Sequence, residues 1–428
     1  MSNIIVSATN NIIIIYLNKS EKYIKLKMVQ NFYMEFINGD RYFYKINDKI
    51  KQYSYLNKNL SCDILIIGGG INGAIINYYL SKNYNVALVE KSRLGSNLTS
   101  LATALLEYQL DDFASDLKPM LNEDEIIDCY NLGLKSIEEL DSLISLYGNN
   151  CHYKKRPTLI FSKKEKDKKL LEQEYLFRKK HGFNSIFLTK ENNFFNFDFN
   201  YGIYCKNGGA ELDPYLFTKM MIENSQNQND IFENTEIVDI QKCSNGYICV
   251  CKYGEIINCK EVIIATGFNF KFINSNLCTR FISFSIVTNP LPEISIENNT
   301  LIQDCLSPYH YLRKLPDERI ILGGEDEKIK DTIDEKKSQK KYEKLLNFLK
   351  ELFPEFKDKI KIEYKFCGAF GSTENNMGLI GRNDDGLIHF ISCGANGILN
   401  AISGVKTIEN LLKNKFDGYS NIFTPLRK

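Results

Sequence analysis

The sequence predicts an α/β protein in which an open sheet is assembled from distant segments of the chain and a second, α+β domain is inserted between them. Short apolar strands near residues 63, 86, 262 and 388 are separated by long insertions. Three of these strands run directly into glycine-rich turns. A sheet whose strands come from distant segments, with a second layer built from the insertions, fits this spacing.

The composition is that of an ordinary globular protein and excludes several function classes. With 428 residues, 43% of them hydrophobic and 25% charged, the chain is long enough for two or three domain-sized units. The formal net charge of +1 gives no basic excess for nucleic-acid binding. No apolar run approaches the ~18 residues of a transmembrane segment and no signal peptide is evident, so we expect a cytoplasmic protein.

The cysteines and histidines do not form a recognisable framework. Twelve cysteines are scattered singly, with only Cys249 and Cys251 close together and no C-x-x-C pair. The four histidines are far apart in the sequence. We therefore expect reduced thiols, with neither disulfides nor a metal site.

Residues 63–90 carry the most specific pattern of the chain. A short apolar strand leads into Gly68, Gly70 and Gly73, a helical pattern follows, and a second apolar strand ends at Glu90. These glycines allow a tight turn, close approach of a pyrophosphate and close packing of helix on sheet, while the helix N-terminus attracts phosphate. Glu90 lies near the ~20-residue distance typical of a carboxylate that binds ribose hydroxyls. The segment predicts a dinucleotide site.

The insertions contain both helical and strand patterns. Asp213 before Pro214 is typical of an N-cap followed by proline at the first helical position. Helices are predicted near residues 102–116, 123–147, 163–180, 214–224 and 334–352, with a last one ending near 412. Strands are predicted at 157–161, 231–232, 236–240, 247–251, 255–258, 262–265, 281–288, 309–314, 319–323 and 388–392.

The three glycine-rich turns follow Ile67, Ala265 and Cys393, each at the end of a predicted strand. Strand ends of an open α/β sheet face one crevice, so the three turns are expected to meet around one extended ligand. FAD spans more of such a crevice than a nicotinamide cofactor, which needs only the first turn. The pattern favours FAD and leaves an NAD(P)-linked dehydrogenase as the alternative.

These motifs together resemble the glycine oxidase / D-amino acid oxidase family of FAD-dependent oxidoreductases. The resemblance covers about residues 63–412, and its most specific parts are the 63–90 fingerprint, VIIATG at 262–267 and CGANGILNA at 393–401. It implies a Rossmann-like FAD-binding domain of the glutathione-reductase type. It also implies oxidation of a small amine, amino acid or 2-hydroxy acid by hydride transfer to FAD.

The resemblance implies a domain division and a set of cofactor contacts. The FAD domain would comprise residues 61–115, 205–270 and 382–428, the substrate domain 116–204 and 271–381, and an N-terminal extension 1–60. The implied FAD contacts are Gly68, Gly70, Asn72, Gly73, Glu90, Lys91, Thr99, Ser100, Ala102, Thr103, Val238, Ala265, Thr266, Gly267, Gly394, Asn396, Gly397 and Ile398. Because no covalent attachment context is evident, we expect FAD to be bound non-covalently.

The substrate site is less explicit. The family often holds a substrate carboxylate with Arg and Tyr of the second domain, and Arg313, Tyr311 and Tyr309 share one face of a predicted strand. Arg156 is a weaker candidate for the carboxylate and His310 for a proton acceptor. The last glycine motif lacks the arginine that several amino-acid oxidases carry there.

Several properties stay open. The electron acceptor is oxygen, a quinone or a partner protein. A flavoprotein of tRNA modification or a non-catalytic scaffold is a further alternative, which the near-neutral charge does not favour.

Overall fold

The computed structural model describes residues 5–9, 12–17, 22–27, 37–47, 51–267, 277–328, 333–373, 377–392, 394, 396–415 and 420–423. The predicted strand end at Cys393 lies outside these residues, although the rest of its strand is described.

The strands are, in chain order, β1 (Ile5–Thr9), β2 (Ile12–Leu17), β3 (Lys22–Lys27), β4 (Ile37–Gly39), β5 (Leu60–Ile67), β6 (Val86–Val89), β7 (Leu105–Glu107), β8 (Lys154–Ser162), β9 (Ile186–Thr189), β10 (Tyr201–Glu211), β11 (Ile231–Phe232), β12 (Ile237–Cys243), β13 (Gly246–Cys251), β14 (Ile256–Ile264), β15 (Thr279–Thr288), β16 (Leu301–Asp304), β17 (His310–Lys314), β18 (Ile320–Lys328), β19 (Ile362–Ser372), β20 (Leu379–Arg382) and β21 (Ile388–Ile391).

The α-helices are α1 (Tyr42–Ile46), α2 (Ile71–Leu80), α3 (Ala114–Leu117), α4 (Glu123–Tyr147), α5 (Lys168–Lys180), α6 (Pro214–Glu223), α7 (Glu335–Leu352), α8 (Gly397–Leu412) and α9 (Ser420–Phe423). Among the described residues, no helix combines the length and the apolar character that crossing a membrane requires.

An eight-stranded sheet forms the first layer around the site. Its order is β11-β6-β5-β14-β13-β12, with β21 pairing along the end of β14 and β20 pairing with β21. The strands β11, β6, β5, β14 and β21 run parallel. Their register places Ile67 beside both Val89 and Ile264, so the parallel strands end together at one edge. This alignment produces a crevice at their carboxyl ends.

Both faces of β5 are buried, which explains its continuous apolar run. Ile64 and Ile66 join the core beneath α2, α6 and α8, while Leu65 and Ile67 join the core on the opposite face. Because successive side chains of a strand point to opposite faces, a strand covered on both sides needs apolar residues at every position.

A ten-stranded sheet forms the second layer. Its order is β4-β19-β15-β18-β17-β16-β8-β10-β7, and β9 pairs with β10. Helix α7 packs on β15 and β18. The N-terminal strands β1, β2 and β3 form a separate three-stranded antiparallel sheet.

The structure confirms the α/β fold class and differs from the expected elements at several places. In the region predicted as one helix at 102–116, a 3₁₀ turn at Leu98–Leu101 is followed by β7 and the short α3. Strand β7 pairs with β10, and β10 pairs with β8. Strands β7 and β10 therefore belong to the ten-stranded sheet and not to the eight-stranded sheet that contains the parallel strands. Strands β10 and β19 carry several glycines and were not predicted from periodicity.

Candidate active site

A cavity of about 340 Å³ lies between the two sheets, at the carboxyl ends of the parallel strands. One end is lined by the turns after β5, β6 and β14, and the other end by side chains from β15, β17 and β18 of the ten-stranded sheet. The loop after β21 and the start of α8 line the middle. The predicted convergence of the three glycine-rich turns on one crevice is therefore present in the structure.

The first turn requires its glycines. Gly68 has φ of +112°, and a Cβ there would lie 2.5 Å from the carbonyl oxygen of Ala265. A Cβ at Gly73 would lie 1.8 Å from the carbonyl oxygen of Gly68, so Gly73 serves helix–turn packing and does not line the cavity. At Gly70, by contrast, a Cβ would approach only the Thr99 hydroxyl, at 3.1 Å. The backbone of Gly70 thus borders open space at the N-terminus of α2.

Glu90 is buried and held in one orientation at the end of β6. Its Oε2 accepts a hydrogen bond from the Gly69 N–H at 2.7 Å, and its Oε1 accepts from the backbone N–H and the hydroxyl of Ser92, both at 2.9 Å. Oε1 also accepts from the Asn97 amide at 3.4 Å, whereas the Gly69 bond uses one of the two lone pairs of Oε2, so that oxygen can accept from a ligand as well. Lys91, the next residue, also lines the cavity.

Besides Gly73, two further predicted contacts lie elsewhere. Val238 is not at the wall, whereas its neighbours Glu236 and Ile237, at the start of β12, are. Ser100 is buried and donates to the carbonyl oxygens of Ser96 and Asn97, which closes the 3₁₀ turn. The other predicted residues of this segment, Thr99, Ala102 and Thr103, do line the cavity.

The second and third turns complete the middle of the cavity. Gly267 and Gly394 both have positive φ, +61° and +73°. The side chain of Asn396, the N-cap residue of α8, donates to the backbone oxygen of Gln109. Asn72 accepts a hydrogen bond from the Ser392 hydroxyl at 2.7 Å, so it connects α2 to the loop after β21. Ala265, Thr266, Gly397 and Ile398 line the wall as predicted.

These residues fit an extended dinucleotide such as FAD. Thr266 lines the cavity, and its Oγ1 is buried without a hydrogen-bond partner among the described residues. A buried hydroxyl without a partner is costly, so a ligand that bonds to it is favoured. The open space at Gly70, the helix N-terminus beside it and the oriented Glu90 are the groups that a pyrophosphate and a ribose require.

The opposite end of the cavity carries tyrosines and carboxylates. The rings of Tyr309 and Tyr311 lie 5.5 Å apart, and the Tyr311 hydroxyl is 3.0 Å from the Ser283 hydroxyl. Burial raises the pKa of both tyrosines, so their phenols stay protonated at neutral pH. Asp326 and Glu107 share this wall. Burial raises the pKa of Asp326 to about 6 and that of Glu107 to about 8.

The structure does not bring Arg313 to the cavity. It lies two residues beyond Tyr311 on β17, buried among other groups, with its guanidinium donating to the carbonyl oxygens of Thr103 and Leu212 and pairing with Glu211 at 3.3 Å. A strand advances about 3.3 Å per residue, so a shared face does not mean a shared site. Arg313 is engaged in the scaffold, which corrects the expectation that it faces the substrate with the tyrosines.

The weaker candidates also lie outside the cavity wall. Arg156 binds the same Glu211 through two nitrogens, at 2.9 and 2.6 Å. His310 pairs with Asp304 at 2.8 Å and stacks on Phe348. The residues that sequence reasoning missed are Glu107, Asp111 and Asp326. In the sequence, Glu107 is an acidic residue at the end of a short apolar segment, and Asp326 comes shortly after a Gly-Gly pair. Such patterns are too common to identify a site.

Comparisons with known proteins agree with this geometry. The model of the family described as FAD dependent oxidoreductase (DAO) matches residues 63–408. The chain is 23% identical over 364 residues to the probable oxidoreductase OrdL of Haemophilus influenzae, covering 80% of each chain. It is 20% identical over 392 residues to the gamma-glutamylputrescine oxidoreductase of Escherichia coli, covering 88% of this chain and 90% of that protein.

A solved structure shares the fold. The glycine oxidase of Geobacillus kaustophilus superposes with a TM-score of 0.71 at 20% identity, covering 86% of this chain and all of the other. At this identity the likeness concerns the fold, in which the same two-sheet arrangement is expected to surround one cavity.

Proposed function

The chain belongs to the FAD-dependent oxidoreductase family, as its motifs predicted, and from this premise we propose that it oxidises a C–N bond of a small amine or amino acid. One observation carries the proposal. The glycine-lined end of the cavity and the end lined by Tyr309, Tyr311 and Asp326 form one continuous space. Such a space can hold a cofactor and a small substrate in contact, which is the arrangement that hydride transfer needs.

The residues at the glycine-lined end would hold the cofactor. The backbone at Gly68 and Gly70 and the N-terminus of α2 favour a pyrophosphate, and Glu90 favours the ribose hydroxyls. Thr266, Asn396 and Gly397 also line the cavity and would contact the rest of FAD. These contacts need no covalent bond, which supports the expectation of non-covalent binding.

The substrate end would supply position and proton transfer. FAD, when bound, accepts a hydride from the carbon next to the substrate nitrogen. The nitrogen loses a proton as the C=N bond forms, and a carboxylate within reach can accept it. Asp326 suits this role because its pKa of about 6 keeps it ionised at neutral pH. The protonated phenols of Tyr309 and Tyr311 would hold the substrate beside it.

The names of the relatives support an amine or amino acid as substrate. One is a gamma-glutamylputrescine oxidoreductase and another a glycine oxidase, and both names describe C–N chemistry. We propose that the reaction takes place in the cytoplasm, a reducing compartment that suits the free thiols of the described cysteines.

An anaerobic experiment tests the proposal. Purified protein that carries its flavin is mixed with panels of amines, D- and L-amino acids and hydroxy acids, and the visible absorbance of the flavin is followed. We expect amines or amino acids to bleach the flavin, and acid precipitation to release it from the protein. A colourless protein that reduces NAD(P) instead, or bleaching by hydroxy acids alone, would refute the proposal.

A further inference from the structure

The substrate end of the cavity is rich in carboxyl groups. Glu107, Asp111 and Asp326 line it, whereas the lysine and arginine among the described wall residues, Lys91 and Arg93, lie at the adenosine end beside Glu90. Arg93 is moreover paired with Glu233 at 3.0 Å. Among the described residues, no lysine or arginine lines the substrate end of the cavity.

Glu107 has one carboxylate oxygen that is available to accept a hydrogen bond. Its residue is only 7% exposed, and its Oε2 accepts a hydrogen bond from Gln109 at 2.7 Å. Its Oε1 is buried without a partner among the described residues, although the side chain lines the cavity. A buried carboxylate oxygen in this position is stabilised by a ligand that brings N–H donors and positive charge.

Asp326 resembles Glu107 in having an unpartnered carboxylate oxygen. Its Oδ1 is also buried without a partner among the described residues. The neighbouring cation Lys341 is already held by Glu325 at 3.1 Å and by Glu327 at 3.4 Å. His310 is held by Asp304. Neither Lys341 nor His310 lines the cavity, whereas both Glu107 and Asp326 do.

The tyrosines add a second feature that fits a cation. The rings of Tyr309 and Tyr311 are tilted by 40° to one another and line the same wall as the carboxylates. The face of an aromatic ring attracts ammonium groups, and the attraction is larger where water is excluded. Carboxylates together with aromatic faces are the chemistry that binds an alkylammonium group.

Among the described residues, the substrate end carries no group that would bind a carboxylate through a positive charge. A substrate carboxylate would need Arg or Lys, yet Arg313 and Arg156 are both engaged with Glu211 outside the cavity. A substrate carboxylate placed beside Asp326, which is ionised at neutral pH, would meet a like charge in a poorly solvated space, which is unfavourable.

We propose that the substrate is a cationic alkylamine without a carboxylate next to its reacting nitrogen, and that Glu107, Asp111 and Asp326 bind its positive charge. This inference rests on the proposed function, because it concerns the substrate end of the same cavity. It selects amines over amino acids within the class of C–N substrates.

A binding measurement on the flavin-loaded protein tests this directly. tert-Butylammonium, tert-butanol and pivalate share one compact shape and carry a positive, zero and negative charge. In each of them the carbon next to the functional group carries no hydrogen, so none can transfer a hydride to the flavin. Binding is followed through the visible absorbance of the flavin and by calorimetry. We expect the cation to bind at least about tenfold more tightly than pivalate, with tert-butanol between them.

Variants locate the charge that is responsible. Glu107→Gln and Asp326→Asn keep size and shape, and each is expected to reduce the cation preference by about tenfold. Glu327→Gln is the matched control, because it removes a carboxylate from the adjacent position of β18, outside the cavity wall, and should leave the preference unchanged. Equal or tighter binding of pivalate, or a cation preference that survives in both cavity variants, would overturn the proposal.

A second comparison separates this inference from the proposed function. Pentylamine and norvaline each contain five carbon atoms, and norvaline carries a carboxylate on the carbon that bears the nitrogen. We expect pentylamine to bleach the flavin anaerobically and either enantiomer of norvaline to do so at least about tenfold more slowly. Bleaching by norvaline alone would overturn the inference and leave the proposed function intact. If neither bleaches the flavin, the charge preference of the three compact ligands still decides the inference.

Discussion

The two ends of the cavity are built from different kinds of groups. At the cofactor end, defined by the turns at Gly68–Gly70 and Ala265–Gly267 and by Gly394, three glycines, Gly68, Gly267 and Gly394, line the wall with positive φ. At the substrate end, defined by Glu107, Asp326 and the two tyrosines, the wall consists of side chains from separate strands of the other sheet.

This difference means that the two ends should respond differently to mutation. The turns at the cofactor end connect strands of the parallel sheet to the elements that follow them. Substitutions in these turns should therefore affect FAD binding or folding. Side chains at the substrate end are isolated positions on a preformed wall, so changes there should alter selectivity while the cofactor stays bound. Four predictions test this separation.

Arg313→Ala should have the largest effect, on stability. The substitution takes one of two arginine partners from the buried Glu211 and removes the hydrogen bonds to the carbonyl oxygens of Thr103 and Leu212, which costs about 3–5 kcal/mol of the free energy of unfolding. Chemical denaturation measures this loss. The folded fraction should keep the charge preference of the wild type.

Arg156→Ala is the matched control, since this arginine pairs with the same Glu211 but is partly exposed, with 15% of its side chain accessible. Its loss should cost clearly less. A stable Arg313→Ala protein with altered substrate selectivity would show that Arg313 takes part in substrate binding after all.

Gly70→Val should weaken FAD binding by about 100-fold or more, because the new side chain displaces a phosphate whose charge-assisted hydrogen bonds contribute about 1.5–3 kcal/mol each. The protein itself has room for the change, since a Cβ at Gly70 meets only the Thr99 hydroxyl. Titration of the apoprotein with FAD gives the dissociation constant.

Gly73→Ala provides the contrast. Its Cβ would lie 1.8 Å from the backbone oxygen of Gly68, so the apoprotein should lose stability as well as FAD. If Gly70→Val folds and retains wild-type affinity for FAD, the assignment of this turn to the pyrophosphate is wrong.

His389 should make the cofactor sheet sensitive to acid. It lies on β21, and burial lowers its pKa to about 4, an effect that the nearby Asp385 offsets only in part. The unfolded chain, with a pKa near 6.5, binds a proton first, so the stability from neutral His389 is present above about pH 6.5 and is lost as the pH falls towards 4. The expected loss is about 2 kcal/mol between pH 7 and 5.

Denaturation curves of wild type and His389→Phe measure this effect. The variant should have a flatter pH dependence over this range. Identical pH profiles for the two proteins would show that His389 is not responsible.

Glu107 should make ligand binding depend on pH at the substrate end. Burial and then the neighbouring Asp111 raise its pKa to about 8, while Arg178 and the hydrogen bond from Gln109 act in the opposite direction. The carboxyl becomes ionised as the pH rises through 8, whereas an alkylammonium stays charged to a pKa of about 10.4. Affinity for tert-butylammonium should therefore rise by up to about tenfold between pH 7 and 9.

The Glu107→Gln variant is the control for this pH effect. Calorimetric titrations at several pH values should show the rise in the wild type and a flat profile in the variant. A rise that persists in Glu107→Gln would assign the titration to another group.

The sequence was most informative where function depends on local geometry. Gly68, Gly70, Gly73 and Glu90 stand at fixed spacing because one strand, one turn and one helix must join in one way. The N-caps Asp213 and Asp334 and the helices that they begin were predictable for the same reason, since capping is local.

The substrate end could not be predicted in this way. Glu107 and Asp326 are more than 200 residues apart in the chain, and no local rule connects them. The period of a strand placed Tyr309, Tyr311 and Arg313 on one face, but their distance along the strand and the position of Glu211 decide which of them reaches the cavity. Those facts depend on how the two sheets pack together.

The most direct test is a single anaerobic turnover with pentylamine. One equivalent of bound flavin should be bleached while one equivalent of pentylamine and one of water yield pentanal and ammonia, and Asp326→Asn should slow this reaction without loss of flavin. A flavin that stays oxidised with pentylamine but is bleached by a hydroxy acid would contradict the assignment of this cavity to amine oxidation.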